Sequence, residues 1–414
     1  MPKPITGLGF RGMNNLPGIP GKLLDDERRI TPKVTLNVEV TDGGVLRCRP
    51  GYVRKLTLSG PHSLWAGSVM LYMAGGVLYR VEGLRTTILG TIPGPPTRMN
   101  YEEIDNLVYL STPYWNGVFD VLSQELRPWG MVLPGAPDIS VVPGDLPPGK
   151  YSLCYTRVED GRLSGNGPVS QIFWEGGTQG IRLGNLPSNG QCWITNPNGK
   201  KPFLATVVSG VISDQVPKLI PLSSFMVTPP PPFNHFAQAF GRMWGISEKK
   251  LLYSEPFQYE WFKVANYIPF IEEPVIVAPV DEGIFVNSLG STWFLAGTTP
   301  GEMAMRRIGD GAITGTLTYA QMPGAVVGGG YEISRRQSQL PSPMWMGPNG
   351  FVVGTHTGHL VHLTEARLKV NPRNQGASIC YVKDGIPRVI MSMTGIQENE
   401  DAELSSIFDA GALI

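Results

Sequence analysis

The chain has 414 residues with glycine (51) and proline (38) making about a fifth of them, only 16% charged residues and 42% hydrophobic ones. That hydrophobic share excludes a disordered chain, and the glycine and proline load with so few charges excludes a helical bundle or coiled coil. Thirty-four basic residues balance thirty-four acidic ones, which argues against a dedicated nucleic-acid binder.

Short strands joined by tight turns are predicted along most of the chain. Near the start, Thr35–Leu56 predicts two strands around Asp42-Gly43-Gly44. Ser68–Arg80 (SVMLYMAGGVLYR) places Gly75-Gly76 between two apolar runs, a two-residue hairpin signal because both residues tolerate φ > 0. Leu107–Val121 (LVYLSTPYWNGVFDV) predicts a hairpin turning at Asn116-Gly117. The stretch 133–230 breaks the rhythm and ends in the proline run Pro229–Pro232, a stiff linker. Within it, Tyr151–Val158, Val169–Trp174 and Gly180–Leu183 read as strands, with a turn at Glu159-Asp160-Gly161, and the whole is expected to be an inserted β-sandwich resembling a fibronectin-type module. Hairpin units return at Ala237–Tyr253, Val277–Phe294, Met344–Leu363 and Ser378–Met391.

An inner strand, a turn and an outer strand, repeated, is how a propeller blade is written. The expected fold is therefore all-β: a β-propeller of six or seven blades with an inserted β-sandwich. Outside the insertion, 316 residues at roughly 45 per blade give about seven blades, or six if the termini form a separate arm. A tandem of β-sandwiches is the rival architecture. The expected organisation is an N-terminal arm (1–32), propeller blades (33–132), the sandwich (133–230), further blades (231–394) and an acidic tail (395–414).

The ends differ in charge. Residues 1–60 hold ten Lys/Arg against five Asp/Glu, and residues 395–414 hold five acids and no base, a pattern of subunit contacts rather than catalysis. A short helix over Ala402–Phe408 would put Leu404, Ile407 and Phe408 on one side. Cys48, Cys154, Cys192 and Cys380 form no Cys-x-x-Cys pair and read as reduced thiols. There is no apolar leader at the N-terminus and no run approaching the ~20 apolar residues of a membrane span, so the protein is expected to be made as a soluble cytosolic chain.

Motifs of chemistry are weak. Gly7-Leu8-Gly9-Phe10-Arg11-Gly12 spells G-x-G-x-x-G, but prolines flank it on both sides, so neither the strand nor the helix of a dinucleotide loop is expected. Gly328-Gly329-Gly330 lacks the Lys-Ser/Thr of a phosphate cradle. His356, His359 and His362 invite a metal reading; on one strand, alternation puts His359 opposite the other two. The acid pairs Asp25-Asp26, Glu102-Glu103, Glu272-Glu273 and Asp281-Glu282 point to opposite faces if stranded, so none is a dyad, although acids from separate blades converging on a channel would hold calcium. Tyr114-Trp115 is a candidate stacking surface, and Arg47 and Arg49 share a strand face able to meet phosphates or an acidic neighbour. No catalytic residue, cofactor or metal ligand is assigned.

One resemblance stands beside this reading. The segments GFRGMNNL, TPKVTLNVEVTDGGVLRCRPGYVRKL and HSLWA resemble the N-terminal signature of phage virion proteins, carried here by Gly12, Asn14, Asn15, Asn37, Val38, Arg47, Arg49, Pro50, Gly51 and Tyr52. Phe240–Phe262 (FGRMWGISEKKLLYSEPFQYEWF) looks like a blade of the same family, and Tyr151–Val169 like its sandwich module. Such proteins include the β-propeller tail nozzles of short-tailed phages. The resemblance implies a structural virion protein without enzymatic activity or cofactor, assembled in the host bacterial cytoplasm. It implies a ring of six copies around the DNA exit channel, a portal adaptor and tail fibres or spikes as partners, and double-stranded DNA in transit. Arg11, Asn14, Asn15, Arg47, Arg49, Leu404, Ile407 and Phe408 are the expected interface residues. A calcium-dependent propeller hydrolase and a carbohydrate-binding adhesin are the alternatives.

Overall fold

A computed structural model describes residues 60–213, 220–321, 341–364, 375–383, 386–393 and 407–409, together with the strands Val38–Val40 and Leu46–Cys48. These residues form antiparallel sheets, and their only helical element is the 3-10 turn Pro300–Glu302.

Six sheets follow one another as up-and-down meanders. Blade 1 contains Pro61–Ala66, Met70–Ala74, Val77–Glu82 and Arg85–Thr91. Blade 2 contains Asn100–Ile104, Leu107–Ser111, Asn116–Asp120 and Leu126–Pro128. Blade 3 contains His235–Ala239, Arg242–Ser247, Lys250–Glu255 and Gln258–Pro269, with Val227–Thr228 added outside. Blade 4 contains Pro274–Val280, Gly283–Ser288, Thr292–Ala296 and Ala304–Gly309. Blade 5 contains Thr318–Ala320, Ser342–Gly347, Gly350–Gly354 and Leu360–His362. Blade 6 contains Gly376–Lys383, Ile386–Met393 and Ile407–Asp409.

Successive blades stack face to face, because strand alternation gives each sheet two apolar faces to bury. Leu71, Met73 and Leu78 of blade 1 meet Val108, Leu110 and Phe119 of blade 2. Tyr109, Val118 and Trp129 meet Phe236, Met243 and Phe262 of blade 3. Trp244, Ile246 and Leu251 meet Val277, Ile284 and Val286 of blade 4. Phe285 and Phe294 pack against Trp345 and Val352 of blade 5, and Met344, Met346 and Val353 against Val389 and Met391 of blade 6. The protein is a β-propeller, its first strands at the centre.

Between blades 2 and 3 the chain leaves to build a sandwich. One sheet pairs Asp138–Leu146 with Gln179–Gly184 and Val211–Ile212. The other centres on Gly149–Glu159, flanked by Ser170–Trp174 and Gly190–Thr195. Leu146, Tyr151, Leu153, Tyr155, Ile181 and Ile194 fill the space between them. Cys154 and Cys192 are buried free thiols, and burial pushes the Cys154 thiol up to about 12.

The hairpin at Gly75-Gly76 forms as expected, with φ +58° and +78°, as does the turn at Asp160-Gly161. Three expectations are corrected. Asn116 and Gly117 begin a strand, and the turn is Thr112–Trp115, closed by the Thr112 hydroxyl accepting from the N–H groups of Tyr114 (3.3 Å) and Trp115 (3.1 Å). The helix over 402–408 does not form at its end: Ile407 and Phe408 lie in a strand opposite Ser392 and Met391. A seven-residue helix is marginal alone, whereas Ile and Phe suit an open sheet edge. His356 and His359 lie in the turn after Gly350–Gly354, and only His362 is stranded.

Candidate functional site: the propeller axis and the sandwich junction

The first strands of the blades bring polar side chains to the centre. Arg98, in the link between blades 1 and 2, donates through Nη1 to the carbonyls of Gly315 (3.0 Å) and Gly376 (2.7 Å), spanning to blades 5 and 6. Gly315 has φ +83°, and a Cβ there would overlap Arg98 Nη1, so the position requires glycine twice over. Asn100 Nδ2 donates to Asn234 O (2.7 Å). Val277 N donates to His235 Nδ1 (3.3 Å), and Tyr319 Oη donates to Pro279 O (3.1 Å).

Glu102 sits among these groups. It is half-buried; enclosure raises its pKa to about 7, against the opposing pull of a Gln238 backbone hydrogen bond. Its charge and burial together hold the Tyr319 phenol well above its usual range. Burial, with Arg98 adding repulsion, drives His235 down to about 3, so its ring is neutral. Arg98, Asn100, Glu102, His235 and Tyr319 thus form a polar cluster linking blades 2, 3, 4, 5 and 6 near the axis.

The other acids are spent separately. Glu103 accepts from Ser68 N (3.0 Å), Glu272 from Ser288 Oγ, and Glu273 from Asn234 Nδ2 (2.6 Å). Asp281 lies 3.4 Å from the buried His356. Among the described residues no three His, Cys, Asp or Glu side chains gather as a metal-holding group.

The second constellation joins the sandwich to the propeller. Glu260, on the outer strand of blade 3, pairs with Arg127 of blade 2 (2.7 Å) and Arg162 of the sandwich (3.1 Å). Trp261 Nε1 donates to Leu163 O (3.1 Å), and Ser224 Oγ to Ser164 O (2.7 Å). Val227–Thr228 pairs with the same outer strand at Lys263 and Phe262. The proline run is pinned, because Asn116 Nδ2 donates to Pro230 O (2.9 Å) and Pro231 O (3.0 Å). Beyond the pairing the outer strand of blade 3 is an open edge carrying Val264, 75% exposed, and Tyr267, with Ile271, 80% exposed, just past its end.

Of the expected interface residues, Arg47 lies on Leu46–Cys48, paired with Glu39, and Ile407 and Phe408 on the last strand of blade 6. Arg11, Asn14, Asn15, Arg49 and Leu404 fall outside the described residues, as do the G-x-G-x-x-G segment and Gly328–Gly330. Tyr114 is exposed while Trp115 packs into the core between blades 1 and 2. Arg98, Tyr319 and Glu260 carry no sequence motif. Glu102 is visible only as half of an acid pair, from which alternation sends one member inward.

No protein-family profile and no curated protein matches the chain. Solved structures similar to it include an N-terminal BBS1 domain in complex with ARL6, at 10% identity and TM-score 0.34, covering 80% of this chain and 73% of that one. The extracellular domain of the one-component system BT4673 from B. thetaiotaomicron matches at 12% identity and TM-score 0.33, covering 88% and 46%. The AfRom2 CNH domain matches at 9% and 0.26, covering 76% and 92%. None is described as a phage protein, and similarity at this level carries no functional argument. Among the described residues no helix is long and apolar enough to cross a membrane.

Proposed function

We propose that the chain is a non-enzymatic structural component of a phage tail, whose copies assemble as a six-membered ring around the DNA exit channel and dock a portal adaptor and tail fibres. The observation that carries the reading is the junction: a propeller and a sandwich fixed to each other by Arg127–Glu260–Arg162, Trp261 and a shared sheet. A rigid two-body bracket suits load-bearing assembly. With Arg98, Glu102 and Tyr319 tying neighbouring blades together near each propeller's axis, the ring reading takes DNA between copies and not through one. Zero net charge suits such a lumen, since each neutralised phosphate adds affinity. The signature around Asn14, Asn15, Arg47 and Arg49 supports the same role.

A ring needs heterologous contacts between unlike faces, and the open edge with Val264 and Ile271 offers one. Mass photometry and negative-stain imaging, with the protein alone and with tailless particles, test the proposal. Rings of six on the portal vertex are expected, lost in Val264→Asp with folding unchanged. A monomer under both conditions overturns it.

A further inference from the structure

The ring reading gives each copy an apolar contact at the outer strand of blade 3, and a closed ring requires a second, unlike face to receive it. The first face is built with care. Val227 pairs with Lys263, so the next position in register sets Met226 across from Val264. Both are exposed, Met226 at 62%. Met226 is held at φ +59°, a region that a methionine rarely occupies, with its N–H donating to Asn166 Oδ1 (2.6 Å). Val264 rides on a bulge: between the pairs Leu252–Tyr267 and Ser254–Phe262, Tyr253 alone faces residues 263–266. Glu255 pins the bulge, accepting from Lys263 Nζ (3.0 Å) and Asn266 Nδ2 (2.7 Å). A bulge breaks the ladder of an open edge. This edge therefore presents fixed apolar side chains and not a strand to be extended.

Exposure and angle pick out the receiving face. The outer strands of blades 2 and 5 are three residues long, two of them half-buried. That of blade 4 sets Arg306 and Arg307 side by side on the surface, where an apolar partner would strip their hydration. Blade 1 ends differently. Its outer strand Arg85–Thr91 carries no charge after Arg85, with Ile88 65% exposed and Leu84, 72% exposed, in the turn before it. The exposed Leu122 adds to this rim, in a turn tied to blade 1 by Arg80 Nη1 donating to Gln124 Oε1. A planar ring of six copies needs about 120° between the two contacts of each copy. In a propeller of six or seven blade positions, two steps make about 100–120°. Blades 1 and 5 stand two steps from blade 3 in chain order, and of these two blade 1 has the exposed apolar rim.

We propose that Met226 and Val264 of one copy seat against the Leu84 and Ile88 rim of blade 1 in the next, a head-to-tail contact between copies of this chain whose angle suits a ring of six. The pairing rests on the ring reading above and names its second face. Mixing variants tests it. Ile88→Asp and Val264→Asp are each expected to be monomeric by analytical ultracentrifugation at micromolar concentration, and to form a one-to-one dimer when mixed, because the mixture keeps one intact contact. Met305→Asp, at an exposed position on the rim of blade 4, is expected to keep the rings. Rings that survive Ile88→Asp, or a mixture that stays monomeric, overturn the pairing while wild-type rings leave the ring reading standing. A wild type that is monomeric both alone and with tailless particles removes the ring reading and this pairing with it. Should a charged variant not fold, chains carrying both Ile88→Cys and Val264→Cys, bound to tailless particles and treated with a short bis-maleimide, give a second readout. A ladder of linked copies up to the hexamer supports the contact; no links beyond those of either single cysteine variant overturn it.

Discussion

Enclosure raises the Glu102 carboxyl to about 7, while burial, with Arg98 adding repulsion, keeps the His235 imidazole on the next blade uncharged at neutral pH. The two act on stability in opposite senses. Glu102 has a folded pKa raised from 4.5 to about 7, so its contribution is fully present below pH 4.5 and is lost as pH rises through 7. His235 has a folded pKa lowered from 6.5 to about 3, so the unfolded chain takes up its proton first and stability falls as pH drops below 6.5. Between pH 4.5 and 6.5 the two slopes, each at most ~1.4 kcal/mol per pH unit, offset one another. Unfolding by denaturant across this window is expected to show Glu102→Gln losing stability on acidification and His235→Asn gaining it; parallel profiles would contradict the assignment. Gly315 is the second residue on which the axis turns. Gly315→Ala forces both a strained φ and the displacement of Arg98, and is expected to cost on the order of 3 kcal/mol by denaturant unfolding.

The elements show why some of the fold is legible and some is not. Gly75-Gly76 announces its hairpin because the only demand on those residues is positive φ. Asn116-Gly117 misleads because its two residues answer other demands. The Asn116 amide caps the carbonyls of Pro230 and Pro231, and Gly117 leaves room for the Trp115 ring, which a Cβ would strike. Ile407 and Phe408 read as a helix face because three-and-four spacing is local information, while the vacant edge of blade 6 is not. The junction is likewise invisible in sequence, since Arg127, Arg162 and Glu260 are distant in the chain and meet only once two sheets have formed. Glu260→Gln removes the charge holding both arginines and is expected to cost about 1–3 kcal/mol. Calorimetry is expected to show one transition in the wild type and separate sandwich and propeller transitions in the variant.

For the whole molecule, composition already pointed to many short strands and against a helical bundle. Cyclic order was not legible, because it is set by which faces stack. The axis was not legible either: Arg98, Glu102 and Tyr319 come together only when blades 1, 2, 5 and 6 surround a common line. The sandwich leaves and re-enters between blades 2 and 3, and both crossings are fastened, so a load applied to one body is delivered to the other through Glu260 and the strand Val227–Thr228.

The sealed cysteines bear on how the sandwich meets oxidants. Burial pushes the Cys154 thiol up to about 12 and shifts the buried Cys192 the same way, so both stay protonated at neutral pH, and thiolate is the form that oxidants attack. Neither thiol therefore offers an oxidant a ready point of attack. The sandwich is held together by the packing between its two sheets instead of crosslinks.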